Sequence, residues 1–297
     1  MPEPLVDRHF LEMLERLTLH WQKSFNGLVG GHNISRFAGP GQEFLDHRNF
    51  HFGDDLRAVN WRAYLRFDKL FLKMFQVEPR VPVRLLLDSS ASMSAGSAAG
   101  HLTKFDYARK LSAALVYVGL VRLDSIVLQP FSNRLLDRCV SSGGRHRFQP
   151  AENYLRQLKA EGKTNYFDIA RQYLSTYPQR GLTIIISDFL DDSDCIRPLQ
   201  YIADFGHELL LVQLWGEEDR EPTGNGEVEL IDAESGAHLK MALDERACRA
   251  YTNAFDEHAG EVRRVALRNG GRYSGVSTRM PIEEAIFGPL KIMEGLS

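Results

Sequence analysis

Five oxygen-bearing side chains from three separate stretches have the types and spacing to hold a hard cation. Asp88, Ser90 and Ser92 form an Asp-x-Ser-x-Ser pattern, Thr164 follows Gly162 and Lys163, and Asp188 follows Ile186 and Ser187 at the end of an apolar run. Mg²⁺ and Mn²⁺ prefer oxygen ligands and readily keep several waters, so two carboxylates and three hydroxyls suit either ion. If Ser90, Ser92 and Thr164 bind directly while Asp88 and Asp188 act partly through waters, little negative charge reaches the ion. The ion then stays electrophilic and can accept a carboxylate from a partner. That chemistry is recognition rather than hydrolysis.

Other chemistries fit the residues less well. Gly162-Lys163-Thr164 imitates the end of a GxxxxGK[ST] phosphate loop, but Gln157 stands where the first glycine belongs and a helix, not a strand, precedes it. The stretch from Ser92 to Gly96 lacks the first glycine of a GxSxG nucleophile elbow, with His101 or His207 as its only suggested bases. A metal-assisted hydrolase at the same five residues is the alternative, and it needs a general base within reach of a metal-bound water. His47 and His51, beside Asp54 and Asp55, are not an HExxH pair and do not sit on a convincing helix, so they read as solvated or structural. Cys139, Cys195 and Cys248 form no CxxC pair and read as free thiols.

The elements that must position these residues are legible from hydrophobic periodicity. Residues 83–88, 182–187 and 208–215 are short apolar runs of the kind found in strands covered on both faces. Helices are expected over 104–123, opened by Thr103 and Asp106, over 150–159, over 165–177 and over 193–205, the last ended by Gly206. Such alternation implies parallel βαβ units and a doubly wound α/β sheet, whose ligands bind beyond the carboxyl ends of the strands. Residues 125–131 and 134–140 suggest an edge pair, 227–241 a hairpin, 243–269 a long helix, 272–277 a strand, and a last helix follows Pro281. Before this body lie a short amphipathic helix over 4–19, expected to dock on it, and a Gly-, Arg- and aromatic-rich segment that ends in a strand over 70–77. In that segment, Arg48, Arg57, Arg62 and Arg66 read as ion-pair partners of nearby carboxylates, with a docking surface for a partner protein as the alternative, and Trp61 and Phe44 as core anchors. The acidic residues Asp191, Asp192 and Asp194 border the candidate site, whereas Glu217, Glu218, Asp219 and Glu221 read as a solvated loop.

Composition narrows the class but not the function. The chain has 297 residues, 43% of them hydrophobic, and a net charge of −3 from 36 Lys and Arg against 39 Asp and Glu. Disordered, collagen-like and disulfide-rich classes are excluded, and no charge excess announces a nucleic acid or an anionic membrane. The first residues carry acidic groups and lack the apolar stretch of a secretory signal. The longest apolar stretch, 111–121, is shorter than the roughly 18 to 20 residues of a membrane span. A cytoplasmic location is therefore expected.

Asp88-x-Ser90-x-Ser92, Thr164 and Asp188 resemble the metal-ion-dependent adhesion site of von Willebrand factor A domains, over roughly residues 83–215. The preceding residues Arg36, Gly39, Gly41, Glu43, Phe44, Arg48, Gly53, Asp54, Asp55, Arg57, Trp61, Arg66, Lys73, Phe75 and Glu78 are similar to the signature of the bacterial DUF58 family, which leads into such a domain. Phe50 and Asn60 depart from that signature, where an aromatic hydroxyl and an aspartate are usual. The resemblance implies an N-terminal extension over 1–82 packed on an A-type domain over 83–297. It further implies a non-enzymatic adaptor or co-chaperone whose Mg²⁺- or Mn²⁺-loaded site binds a partner carboxylate. Its partners would be a client protein and a MoxR-type AAA+ ATPase, because family members are typically encoded beside one. Many A domains are secreted adhesins, which is a further alternative for this chain.

Overall fold

The computed structural model describes residues 4–15, 38–39, 43–51, 59–76, 82–94, 102–121, 124–190, 194–222, 226–234 and 236–290. The chain divides into two compact units, one of residues 1–25 with 81–297 and one of residues 26–80. Arg36, Gly41, Gly53, Asp54, Asp55, Arg57, Glu78, His101, Asp191 and Asp192 lie outside the described residues, as do the end of the first expected helix and residues 122–123.

In the larger unit the apolar runs become the strands they suggest. β4 (Val83–Asp88), β5 (Ile126–Phe131), β7 (Leu182–Ser187), β8 (Glu208–Trp215) and β11 (Arg272–Ser277) pair in parallel, and β6 (Cys139–Ser141) closes one edge antiparallel to β5. The six-stranded order is β11-β8-β7-β4-β5-β6. Because strand side chains alternate, Leu85, Leu87, Ile184 and Ile186 face one apolar layer while Leu86 and Ile185 face the other. The first layer is covered by α3 (Lys104–Val121), α4 (Phe148–Gln157) and α9 (Ile282–Phe287). The second is covered by α5 (Tyr166–Thr176), α6 (Ile196–Asp204) and α8 (Glu245–Arg268). This is the expected doubly wound α/β architecture.

The amino-terminal helix, α1, is described over residues 8–15. It buries Phe10 and Leu14 in the first layer, as the chain just before it buries Val6, and the Leu5 amide donates to Glu152 Oε1 at 2.8 Å. Tyr117 and Arg145 both donate to Glu15, fixing the helix by its charged end as well.

Several boundaries differ from expectation for local reasons. α4 starts at Phe148 and not at Pro150, because a proline in the first helical turn gives up only an N–H that has no partner there. α6 starts at Ile196 because the Asp194 carboxylate accepts from the amides of Ile196 and Arg197, at 2.9 and 3.3 Å, and so caps the helix. β6 begins only at Cys139, since the Leu136 amide is drawn off the ladder to the Pro130 carbonyl. Among the described residues, no helix is long and apolar enough to cross a membrane.

The smaller unit is a three-stranded antiparallel sheet, β1 (Ala38–Gly39), β3 (Phe71–Gln76) and β2 (Glu43–Asn49) in that order, with α2 (Trp61–Phe67) before β3. Asn60 accepts from the Ala63 amide at 3.3 Å and caps α2, a role the usual aspartate would fill equally well. Trp61 is not a core anchor: α2 has fewer than two turns and buries none of its residues, and Trp61 is 55% exposed. Arg62 and Arg66 lie exposed on the same helix. The side chains of Phe44, His47 and Arg48 lie outside the described atoms, and His47 sits on a strand, not a helix.

Candidate metal site at the sheet rim

The order of the sheet places β4 beside β7, with β5 continuing to one side and β8 to the other. The gap between β4 and β7 is therefore the topological switch point, and its carboxyl end is where a doubly wound sheet opens a binding crevice. Asp88 is the last residue of β4, and Asp188 immediately follows β7. Asp88 Oδ1 accepts from the Ser90 amide at 2.9 Å, which turns the chain sharply into the short 3₁₀ helix Ala91–Ser94. In that turn, Ser90 Oγ and Ser92 Oγ lie 2.9 Å apart.

The loop that carries Thr164 is bound to this turn through the backbone. The Glu161 amide donates to the Ser89 carbonyl at 2.8 Å, and the Ala91 amide to the Gly162 carbonyl at 2.9 Å. Gly162 has a φ of 90°, a conformation that favours glycine, so the Lys163 that imitates a phosphate loop belongs to a tight turn. Asn165 then caps α5 through the Asp168 amide at 3.1 Å, so Thr164 is held between a fixed turn and a fixed helix start. Thr164 itself donates to Glu234, from Oγ1 to Oε1 at 3.2 Å and from its amide to Oε2 at 3.3 Å.

The carboxylates sit deeper. Asp88 is 1% exposed, and its Oδ2 accepts from Ser187 Oγ at 2.5 Å. Ser187 in turn accepts from the Tyr166 hydroxyl at 2.7 Å and from the Phe189 amide at 2.9 Å. Burial, and then the nearby Asp188 charge, push the Asp88 carboxyl up to about 7 against the hydrogen bonds from Ser187 and Ser90. Burial likewise holds the Tyr166 hydroxyl well above its ordinary range, so it remains a donor.

Asp188, 2% exposed, accepts from the Leu190 amide at Oδ1 (3.1 Å) and from Lys104 Nζ at Oδ2 (2.8 Å), while its carbonyl accepts from Gln213 at 3.1 Å. Lys104 also lies 3.1 Å from Asp219 Oδ2. Burial alone would lower the Lys104 pKa, but Asp188 and Asp219 outweigh it and hold the ammonium above its ordinary value.

The donor set fits a small divalent ion. Two oxygens on adjacent corners of an octahedron with about 2.0–2.1 Å bonds are separated by roughly 2.9 Å, the spacing of the two serine hydroxyls. Lys104 balances Asp188, whereas among the described residues Asp88 is buried with hydrogen-bond donors but no cation in contact, so its ionised form lacks there a counter-charge that a metal would provide. Ser90, Ser92 and Thr164 would supply neutral oxygens, with Asp88 and Asp188 behind them. Among the described residues no group of three or more His, Cys, Asp or Glu side chains is placed to hold a metal ion.

Lys104, Asp219, Ser187, Tyr166 and Glu234 were not readable as parts of the site. Lys104 is a lone cation at the start of an apolar helix, and in hindsight its position one loop after the Asp-x-Ser-x-Ser motif is the signal. Asp219 corrects the reading of its acidic stretch as a solvated loop: Glu217–Arg220 forms a short helix, α7, that turns Asp219 inward to 23% exposure. His207 is no partner for Ser92, because it precedes β8 and so lies at the amino edge of the sheet, opposite the site. There, burial first and then the Arg84 charge lower its pKa to about 4. His258 has Nε2 2.8 Å from the Phe189 carbonyl; a carbonyl only accepts, so that nitrogen carries a proton and is not a free base.

A family model described as "Protein of unknown function DUF58" matches residues 46–261. The Mycobacterium tuberculosis "Uncharacterized protein Rv1480" is 26% identical over 255 residues, 85% of this chain and 80% of that protein. Among solved structures, the conserved hypothetical protein BatB from Bacteroides thetaiotaomicron aligns with a TM-score of 0.43 and 16% identity over 72% of this chain and 98% of its own. The SpRpn10 VWA domain aligns with a TM-score of 0.41 and 12% identity over 73% and 98%.

Proposed function

The chain belongs to the DUF58 family, and on that premise we propose that it is a non-enzymatic, metal-dependent protein-binding adaptor that captures a partner carboxylate at the rim of its A-type domain. The observation that carries this reading is the pair of serine hydroxyls, 2.9 Å apart, in the turn that follows the buried Asp88 carboxyl, which has no cation in contact among the described residues. When bound, Mg²⁺ or Mn²⁺ would supply an electrophilic centre for an incoming carboxylate. The protein's own part is to present neutral oxygens from Ser90, Ser92 and Thr164, so that the ion's charge is left for the partner. Lys104 holds Asp188 in place, and Ser187 with Tyr166 orients Asp88.

The hydrolase alternative needs a general base: among the described residues bordering the candidate ligands, Lys104 is paired and His258 Nε2 faces a carbonyl, which leaves the Glu234 carboxylate beside Thr164 as the group that reading would use. The family setting supplies the partner in this proposal, a MoxR-type AAA+ ATPase acting in the cytoplasm together with a client protein. The test is capture of a MoxR-type ATPase by the purified chain in Mg²⁺ and in EDTA. Capture that depends on Mg²⁺ and is lost in Ser90→Ala supports the reading, and capture indifferent to both contradicts it.

A further inference from the structure

We propose that Glu234 is an internal carboxylate ligand of the rim, so that the hairpin that carries it must leave before a partner's carboxylate can bind. The proposal rests on the adhesion-site reading and adds the device that regulates access to it.

The chain emerging from α7 at the carboxyl edge forms an antiparallel hairpin, β9 (Gly226–Ile231) and β10 (His238–Leu243), which pairs with no other strand among the described residues. Two strands alone are marginal in water, and most residues of both are exposed, with Leu230, Ile231 and Leu239 among them. The hairpin thus has little core of its own to fix its direction. The described residues of its turn are held by three hydrogen bonds. The Asp232 amide donates to the Ala237 carbonyl at 2.9 Å, the Gly236 amide to the Asp232 carbonyl at 2.8 Å, and the Glu234 amide to Asp232 Oδ1 at 3.0 Å. This turn presents the Glu234 carboxylate to Thr164, seventy residues away in sequence, whose hydroxyl and amide both donate to it.

The chemistry of a threonine ligand makes that contact informative. A hydroxyl that offers a lone pair to a cation must direct its proton elsewhere, and the best acceptor is an anion beside the same cation. Glu234 is that anion, brought to the hydroxyl a partner would otherwise meet. A partner then competes with an attached carboxylate, and its apparent affinity falls by the fraction of time the hairpin is away.

The experiment uses Mn²⁺ with the full-length chain, reading affinity by electron paramagnetic resonance and coordinated water by proton relaxation enhancement, with acetate as the external carboxylate. Glu234→Gln keeps an acceptor for Thr164 but removes the charge, and Glu234→Ala removes both. Both variants are expected to bind Mn²⁺ about tenfold more weakly and to show higher relaxation enhancement. In both, acetate should lower that enhancement at concentrations that leave the wild type unchanged. Equal Mn²⁺ affinity, enhancement and acetate response in wild type and variants would overturn the internal ligand while leaving the adhesion site standing. Mn²⁺ binding absent from all three chains, or unchanged in Ser90→Ala, would overturn the adhesion site and the internal ligand with it.

Discussion

Replacing Lys104 with methionine tests whether the rim is held by buried charge. The lysine side chain is 3% exposed and Asp188 2% exposed, so their 2.8 Å ion pair lies in the regime where removing one partner strands the other. Loss of one member of a buried pair typically costs about 3–5 kcal/mol. Asp219, the second acceptor, is 23% exposed and can be rehydrated, which places the expected loss near the lower end, about 3 kcal/mol. Methionine keeps the apolar stem, so packing changes little. The assay is urea unfolding at pH 7 in EDTA for wild type, Lys104→Met, Asp188→Asn and the double variant. Asp188→Asn keeps a side-chain oxygen to accept from the Leu190 amide, and with both charges gone the double variant should recover at least about 2 kcal/mol relative to the sum of the singles. Because a divalent ion replaces part of the missing charge, Mg²⁺ should stabilise Lys104→Met more than the wild type. Additive single losses, or a Lys104→Met loss below about 0.5 kcal/mol, would refute the claim that this pair organises the site.

Two further outcomes follow from the same geometry. The Asp88 carboxyl titrates near 3.8 when unfolded and near 7 when folded, so the folded chain binds the extra proton. Its contribution therefore weakens stability as pH rises from about 4 to about 7 and is level above that window. In EDTA, the wild type should lose stability across this window relative to Asp88→Asn, and Mg²⁺ should flatten the difference; parallel pH profiles would contradict it. Gly162→Ala has ordinary room, with Ser132 Oγ 3.6 Å from the added carbon, but φ is 90°. Backbone strain alone should cost about 1–3 kcal/mol in chemical denaturation and weaken metal binding through Thr164, and an unchanged midpoint would count against the rigid-turn account.

The strands at the centre of the sheet were legible because a strand buried on both faces needs an unbroken apolar run. Residues 83–88, 182–187 and 208–215 therefore show their limits in the sequence. Helix starts were less sharp where a side chain could cap from more than one position, as Asp194 does for α6. Four of the five candidate ligands stood out because they end or follow a strand, and Thr164 because a loop there turns into a helix. Lys104, Asp219 and Glu234 were not, because each reaches the rim from an element whose direction only tertiary packing decides. A charge on an apolar helix, an acidic stretch and a hairpin tip are common surface features, and nothing local distinguishes these from others. Trp61 erred the other way: its size suggests burial, but the short α2 offers no layer to bury it.

The central claim is that Asp88, Ser90, Ser92, Thr164 and Asp188 form a divalent-metal site. Its most direct test is a Mn²⁺ titration of the EDTA-stripped chain followed by electron paramagnetic resonance, with Asp88→Ala and Ser90→Ala alongside. One Mn²⁺ bound per chain, displaced by Mg²⁺ and weakened about tenfold or more in each variant, is the predicted result. No binding, or binding that neither variant disturbs, would contradict it.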